Sequence, residues 1–215
     1  RLSLYRVFKT KKMIDNLNQI LPLLEFKEEG DFYRLLVLQR KKDQKIEDQK
    51  DCPSSEVVQT YCVENAKYLL ERYNQIKAIC ELGKARAYIH LQKQNHRDVS
   101  YEMNVELATR LKNGVFNQRN LFESTLGQTQ VRSTRWIVDI DTKDGNTLNE
   151  IERCIQYHCL PDLGLSKTLS IIPTKAGYHL ITNPFNVQEF KKIYPEIEVH
   201  KKNPTLLYYP KSLEN

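Results

Sequence analysis

No apolar run in the 215 residues reaches the roughly 20 that a membrane-crossing helix needs, and no secretory leader is visible, so a membrane role is not expected. The chain starts on Arg1 rather than Met, which leaves room for a further N-terminal piece. The five cysteines, at 52, 62, 80, 154 and 159, include no C-x-x-C pair and are odd in number. Reduced thiols in a cytoplasmic protein are the simplest reading of that pattern. Cys154, His158 and Cys159 make three candidate donors with no fourth at suitable spacing, so a zinc site is not expected. Repeats, low-complexity segments and a His-x-His metal motif are also lacking. What is there is 40% hydrophobic and 28% charged, enough to bury a core as one compact unit or two small lobes. The net charge of +6 favours anionic partners.

The feature with most chemical content is Arg135-Trp136-Ile137-Val138-Asp139-Ile140-Asp141-Thr142. In a strand, Trp136, Val138 and Ile140 point one way and Ile137, Asp139 and Asp141 the other. Two carboxylates on one face repel by a few kcal/mol at an intermediate dielectric, which calls for a cation. Hard oxygen ligands suit Mg²⁺ or Mn²⁺, ions that serve chemistry on phosphates. A solvated strand end or a helix-capping Asp is the plainer alternative.

Downstream, a turn at residues 143–146 leads to a helix over about 147–158, with Leu148, Ile151 and Ile155 at helical spacing. Strands follow at 168–172 and 178–182 around the turn Pro173-Thr174-Lys175-Ala176-Gly177, then a helix near 186–193 and extended segments at 196–200 and 205–209. The order β-α-β-β-α-β is that of a ferredoxin/RRM-like split βαβ unit, giving an α+β fold. Its first and third strands are neighbours, which brings Asp139 and Asp141 beside the strand bearing His179. An extended segment 196–200 puts Glu196, Glu198 and His200 on one face and offers a third carboxylate.

In order and spacing, these residues resemble motifs I, II and III of the archaeo-eukaryotic primase superfamily, which includes the primase-polymerases. Motif I corresponds to Val138-Asp139-Ile140-Asp141, motif II to Thr174-Lys175-Ala176-Gly177-Tyr178-His179, and motif III to Ile197-Glu198-Val199-His200. The resemblance covers roughly the last eighty residues. It departs from the family where motif III usually carries Asp, and in having Pro204, Leu207 and Tyr208 where some members carry arginines. The resemblance implies a nucleotidyltransferase that initiates or extends a primer on a single-stranded nucleic-acid template. It also implies Mg²⁺ or Mn²⁺ held by Asp139, Asp141 and Glu198, with Glu196 as the alternate third ligand. Nucleoside triphosphate phosphates would be met by Thr174, Lys175, a close backbone approach at Gly177, and a hydrogen bond from His179. A structural histidine and an ordinary hairpin turn remain the plainer readings of these last residues.

The first half reads as an N-terminal α/β lobe, residues 1–125, packed with the RRM-like half, residues 126–215. Its expected elements are a strand at 32–38, a polar loop to Ser55, a helix over 55–82, a strand at 85–91, and an amphipathic helix carrying Val99, Met103, Leu107 and Leu111. Arg40, Lys41 and Lys42, the loop running on to Lys45, and Arg86 and His90 on a cleft-lining strand are candidates for contact with nucleic-acid phosphates. Two alternatives remain: another palm-type nucleotidyltransferase with the same paired acids, and a non-catalytic RRM-like module stacking bases on Tyr178 and Tyr208.

Overall fold

A computed structural model describes residues 13–44, 54–129, 134–162 and 164–213. Lys45 and Cys52 lie outside the described residues. In chain order the elements are β1 (Ile14–Asp15), α1 (Leu17–Ile20), β2 (Asp31–Arg40), β3 (Ser55–Val63), α2 (Ala66–Leu82), β4 (Arg86–Ile89), β5 (Gln94–Asn95), α3 (His96–Lys112) and α4 (Leu121–Gln128). They continue as β6 (Trp136–Ile140), α5 (Gly145–His158), β7 (Thr168–Pro173), β8 (Tyr178–Thr182), α6 (Val187–Ile193), β9 (Glu198–His200) and β10 (Thr205–Tyr209). The fold is mixed α+β, with two antiparallel sheets. No described helix is long and apolar enough to cross a membrane.

The first sheet runs β1-β10-β4-β2-β3, with β5 also pairing β2; the second runs β7-β8-β6-β9. The acid-bearing strand β6 is therefore central, with β8 on one side and β9 on the other. Strand alternation organises both of its faces. Val138, Ile140 and Leu180 are buried against Leu148, Ile151 and Ile155 of α5 and Phe190 of α6. Ile137, Ile172 and Ile181, on the other face, join the core that also holds Leu35 and Val37 of β2 and Leu69, Tyr73 and Ile76 of α2.

Both helices of the second sheet begin at side-chain caps. Asp144 accepts from the backbone N–H groups of Asn146 and Thr147 at 3.3 and 3.0 Å, and Asn186 accepts from those of Gln188 and Glu189. The capping aspartate is thus Asp144, which leaves Asp139 and Asp141 outside that role. At the other end of α5 the fully buried Lys167 ammonium donates to the carbonyls of Ile155, Gln156 and Cys159.

Several sequence expectations are corrected. The helix expected over 55–82 is two elements, because Asn65 caps α2 by accepting from Tyr68 N at 2.8 Å and residues 55–63 pair with β2 as an edge strand. Its solvent-facing valines, Val57 and Val58, mask the alternation that would have marked it. Helix α3 forms, but of its expected apolar stripe only Val99 is buried. Glu196 lies in a turn, and the strand begins at Glu198. β10, placed with the C-terminal half, is a strand of the first sheet. Buried Asn16 ties the two sheets together, donating through Nδ2 to Pro173 O of β7 and Leu206 O of β10, both at 2.9 Å.

Candidate active site

The register of the second sheet assembles the site. Asp139 pairs with His179 on β8 and with Glu198 on β9, so the three share one level of the sheet and one face. His200 is opposite Ile137, two residues along the same face. That face looks across a cleft of about 530 Å³ toward β2 and β4 of the first sheet. Asp139, Asp141, His179, Glu198 and His200 line one wall; Arg40, Lys42, Arg86 and Tyr88 line the other, and Thr174, Lys175 and Ala176 close the end.

His179 is held on both sides. Its Nδ1 lies 2.9 Å from Thr205 Oγ1, and its Nε2 lies 3.5 Å from an Asp139 carboxylate oxygen. Burial pushes its pKa below the ordinary imidazole value; Asp139 pulls upward, His200 adds to the lowering, and Asp141 opposes it. Glu198 is turned to its own strand neighbour: its carboxylate is 3.1 Å from His200 Nε2 and its side chain is largely exposed. The expected convergence of Glu198 with both aspartates does not form, and among the described residues no group of three or more His, Cys, Asp or Glu is arranged to hold a metal ion. The donor set at the cleft still fits Mg²⁺ or Mn²⁺. Such ions are bound by one or two carboxylates together with water and substrate phosphates, and Asp139 and Asp141 supply that pair.

The turn between β7 and β8 is closed internally: Thr174 N donates to Gly177 O at 2.8 Å, and Gly177 N donates to Thr174 Oγ1 at 3.0 Å. A Cβ built on Gly177 would fall 1.9 Å from Ile140 O and 2.6 Å from Thr142 O. The close approach read as room for a phosphate is therefore taken by the end of β6, and Gly177 does not line the cleft. Its glycine identity sets how near the turn sits to the aspartates. Thr174 Oγ1 therefore serves as an acceptor within the turn, and Lys175 Nζ lies 5.3 Å from the centre of the Tyr209 ring.

On the opposite wall, Arg86 is buried, ion-paired to the equally buried Asp43, and set 4.9 Å from the Tyr209 ring centre. Burial works against its charge, but the Asp43 hydrogen bond and Tyr88 raise its pKa. The Lys42 ammonium is pushed down by burial and by Arg40 and Arg86, against the pull of Asp43, with Lys175 adding to the repulsion. Lys41 does not line the cleft, and neither does Glu196. His90 is likewise absent from it, lying in a separate hollow of about 70 Å³ with Arg34 and Lys202. Its Nδ1 is 3.1 Å from Lys202 O, and burial together with Arg34 lowers its pKa to about 4.

Sequence reasoning did not find Tyr88 in the cleft wall, nor Asp43 and Tyr209, which do not line the cleft but partner Arg86 and Lys175. Asp43 sits in a charged run and the tyrosines on apolar strands, so no local pattern marks them. The chain matches no protein-family model, no curated protein and no solved structure.

Proposed function

We propose that the cleft is the active site of a metal-dependent nucleotidyltransferase of the primase-polymerase type, extending or initiating a primer on single-stranded nucleic acid. One observation carries the reading: an acid pair and a histidine on neighbouring strands face a wall of cations across a single cleft. Acids alone would suit many metal sites, and cations alone many anion sites. Together they suit a polyanionic substrate whose phosphates share a metal with carboxylates. We also read the second sheet with α5 and α6 as a ferredoxin-like unit, supported by its strand order and antiparallel pairing.

In this reading Asp139 and Asp141 hold the ion, with Glu198 able to join only by leaving His200. A bound Mg²⁺ or Mn²⁺ supplies neutralisation of phosphate charge and activation of the attacking hydroxyl. His179, fixed by Thr205, presents a ring nitrogen beside Asp139 for a phosphate oxygen. Thr174 and Lys175 meet the phosphates from the turn, while Arg40 and Lys42 face them from the first sheet. A reducing, cytoplasmic setting agrees with the free thiols at Cys62, Cys80, Cys154 and Cys159.

Base stacking by a non-catalytic module is less well supported, because its aromatics are not displayed. Tyr208 is buried with its hydroxyl on Glu81, and Tyr178 packs on the helix side of its sheet. Another palm-type nucleotidyltransferase shares the acid pair and is separated by its product. The test is incorporation of labelled nucleotide on a primed template with Mn²⁺. Asp139→Ala/Asp141→Ala is expected to abolish it while the unfolding midpoint is kept, since removing both carboxylates relieves their repulsion. Extension by the double variant at the wild-type rate would overturn the proposal.

A further inference from the structure

The cation wall is built in a way that its own stability does not require. Arg40, Lys42, Arg86 and Lys175 line this part of the cleft, and among the described residues the carboxylate ion-paired within the group is Asp43, on Arg86, leaving an excess of three positive charges (four minus one). Burial is the main cause of the lowered Lys42 pKa, and Arg40, Arg86 and Lys175 add to it. The cluster is held by neutral and buried partners. Arg40 and Arg86 each donate to the Tyr88 hydroxyl at 3.4 Å, and Arg86 and Lys175 both lie against the Tyr209 ring. Asp43 caps the arrangement from a one-turn 3₁₀ helix, Lys41–Asp43, pinning that turn to β4 through Arg86. Asp43 Oδ2 and Arg86 Nε are buried and have no hydrogen-bond partner.

We propose that this wall is a preassembled, metal-independent subsite for a polyphosphate chain, and that Asp43 is the positioning residue that sets Lys42 and Arg40 over it. The proposal deepens the nucleotidyltransferase reading by assigning the triphosphate tail to the first sheet, but the binding it claims needs neither metal nor catalysis. A polyphosphate is favoured over a nucleic-acid backbone by charge density. A triphosphate concentrates its charges on adjacent phosphoryl groups, whereas a strand spaces single charges a nucleotide apart. Cations that share one tyrosine hydroxyl, as Arg40 and Arg86 do, and one tyrosine ring, as Arg86 and Lys175 do, are spaced for the first pattern.

The experiment is calorimetric titration of the protein with sodium tripolyphosphate in EDTA at fixed ionic strength, with an oligo-dT titration alongside. Saturable tripolyphosphate binding is expected, weakened at least tenfold by Arg40→Gln/Lys42→Gln, a pair of partly exposed side chains whose loss leaves the core intact. Asp43→Asn separates positioning from charge. Removing a negative charge would tighten anion binding if charge alone mattered, whereas loss of the turn weakens it, and weakening is expected. Because that variant breaks a buried pair, its circular dichroism and melting curve are compared with wild type. If it does not fold, the Arg40/Lys42 pair alone decides. No tripolyphosphate binding, binding indifferent to Arg40 and Lys42, or a preference for oligo-dT would overturn the proposal. Failure of primer extension with tripolyphosphate binding intact would overturn the catalytic reading alone.

Discussion

Gly177 shows how a single residue can be right for a reason the sequence does not contain. As a small residue before Tyr178-His179 it signalled a close approach, yet the neighbour is the carbonyl of Ile140 at the end of the acid-bearing strand, distant in the chain and brought near as strands β6 and β8 pair. Any side chain there must displace backbone, and backbone yields less readily than a flexible side chain. Gly177→Ala is therefore expected to cost about 1–3 kcal/mol in urea unfolding and to reduce the proposed nucleotide incorporation by moving Asp139 and Asp141. An unchanged unfolding midpoint would show that the turn can back away freely. The aspartates and His179 were legible because a period of two needs only a few residues to declare itself. Glu198 was legible as a face but not as a contact, since its pairing with His200 depends on side-chain rotamers that no spacing encodes.

At the scale of elements, the second sheet was readable and the first much less so. Helices α5 and α6 carry caps and apolar residues at helical spacing, and strands β6 to β8 are short and apolar on a consistent face. By contrast β3 is an edge strand with exposed valines, and α3 forms with most of its length in solvent, so neither shows the one-sided burial that periodicity reports. The end of α5 depends on Lys167, which no motif marked. Its buried ammonium serves three helix-terminal carbonyls, and Lys167→Met would leave Ile155, Gln156 and Cys159 without that donor. A loss of about 2–4 kcal/mol is expected in urea unfolding, because buried acceptors left unpaired cost about 1–3 kcal/mol each and some will find water. Tripolyphosphate binding should stay within twofold of wild type, since α5 packs on the face of the sheet opposite the cleft. A variant as stable as wild type would show that these carbonyls are satisfied by other means.

For the whole molecule, the two sheets that bound the cleft share an apolar core and are also tied together by long-range polar contacts. Asn16 joins β7 to β10, Gln92 Nε2 donates to Arg135 O at 3.1 Å and to Lys201 O at 2.9 Å, and His90 meets Lys202 O. None of these pairs is visible in the sequence, because each couples one polar side chain to a backbone carbonyl that could belong to any residue. His90 makes this junction sensitive to acid. Its folded pKa of about 4 lies below the ordinary 6.5, so the unfolded chain takes up the proton first. Stability from this group is full above pH 6.5, falls as the pH drops toward 4, and levels off below that, with a limiting slope of about 1.4 kcal/mol per pH unit. His179, also depressed by burial, adds to the same trend. Asp31 acts in a separate window: burial opposes its ionisation, but hydrogen bonds from Lys93, Glu28 N, Asn95 and Lys27 N bring its pKa to about 2, so its contribution is lost only as the pH falls from near 4 toward 2. Urea midpoints at pH 7.5 and 5.0 therefore isolate the histidines. Wild type is expected to be less stable at pH 5.0, and His90→Gln to lose distinctly less over the same interval while keeping a residual slope from His179. Equal losses in the two proteins would mean that His90 titrates as a free imidazole and that the junction between the sheets is open to water.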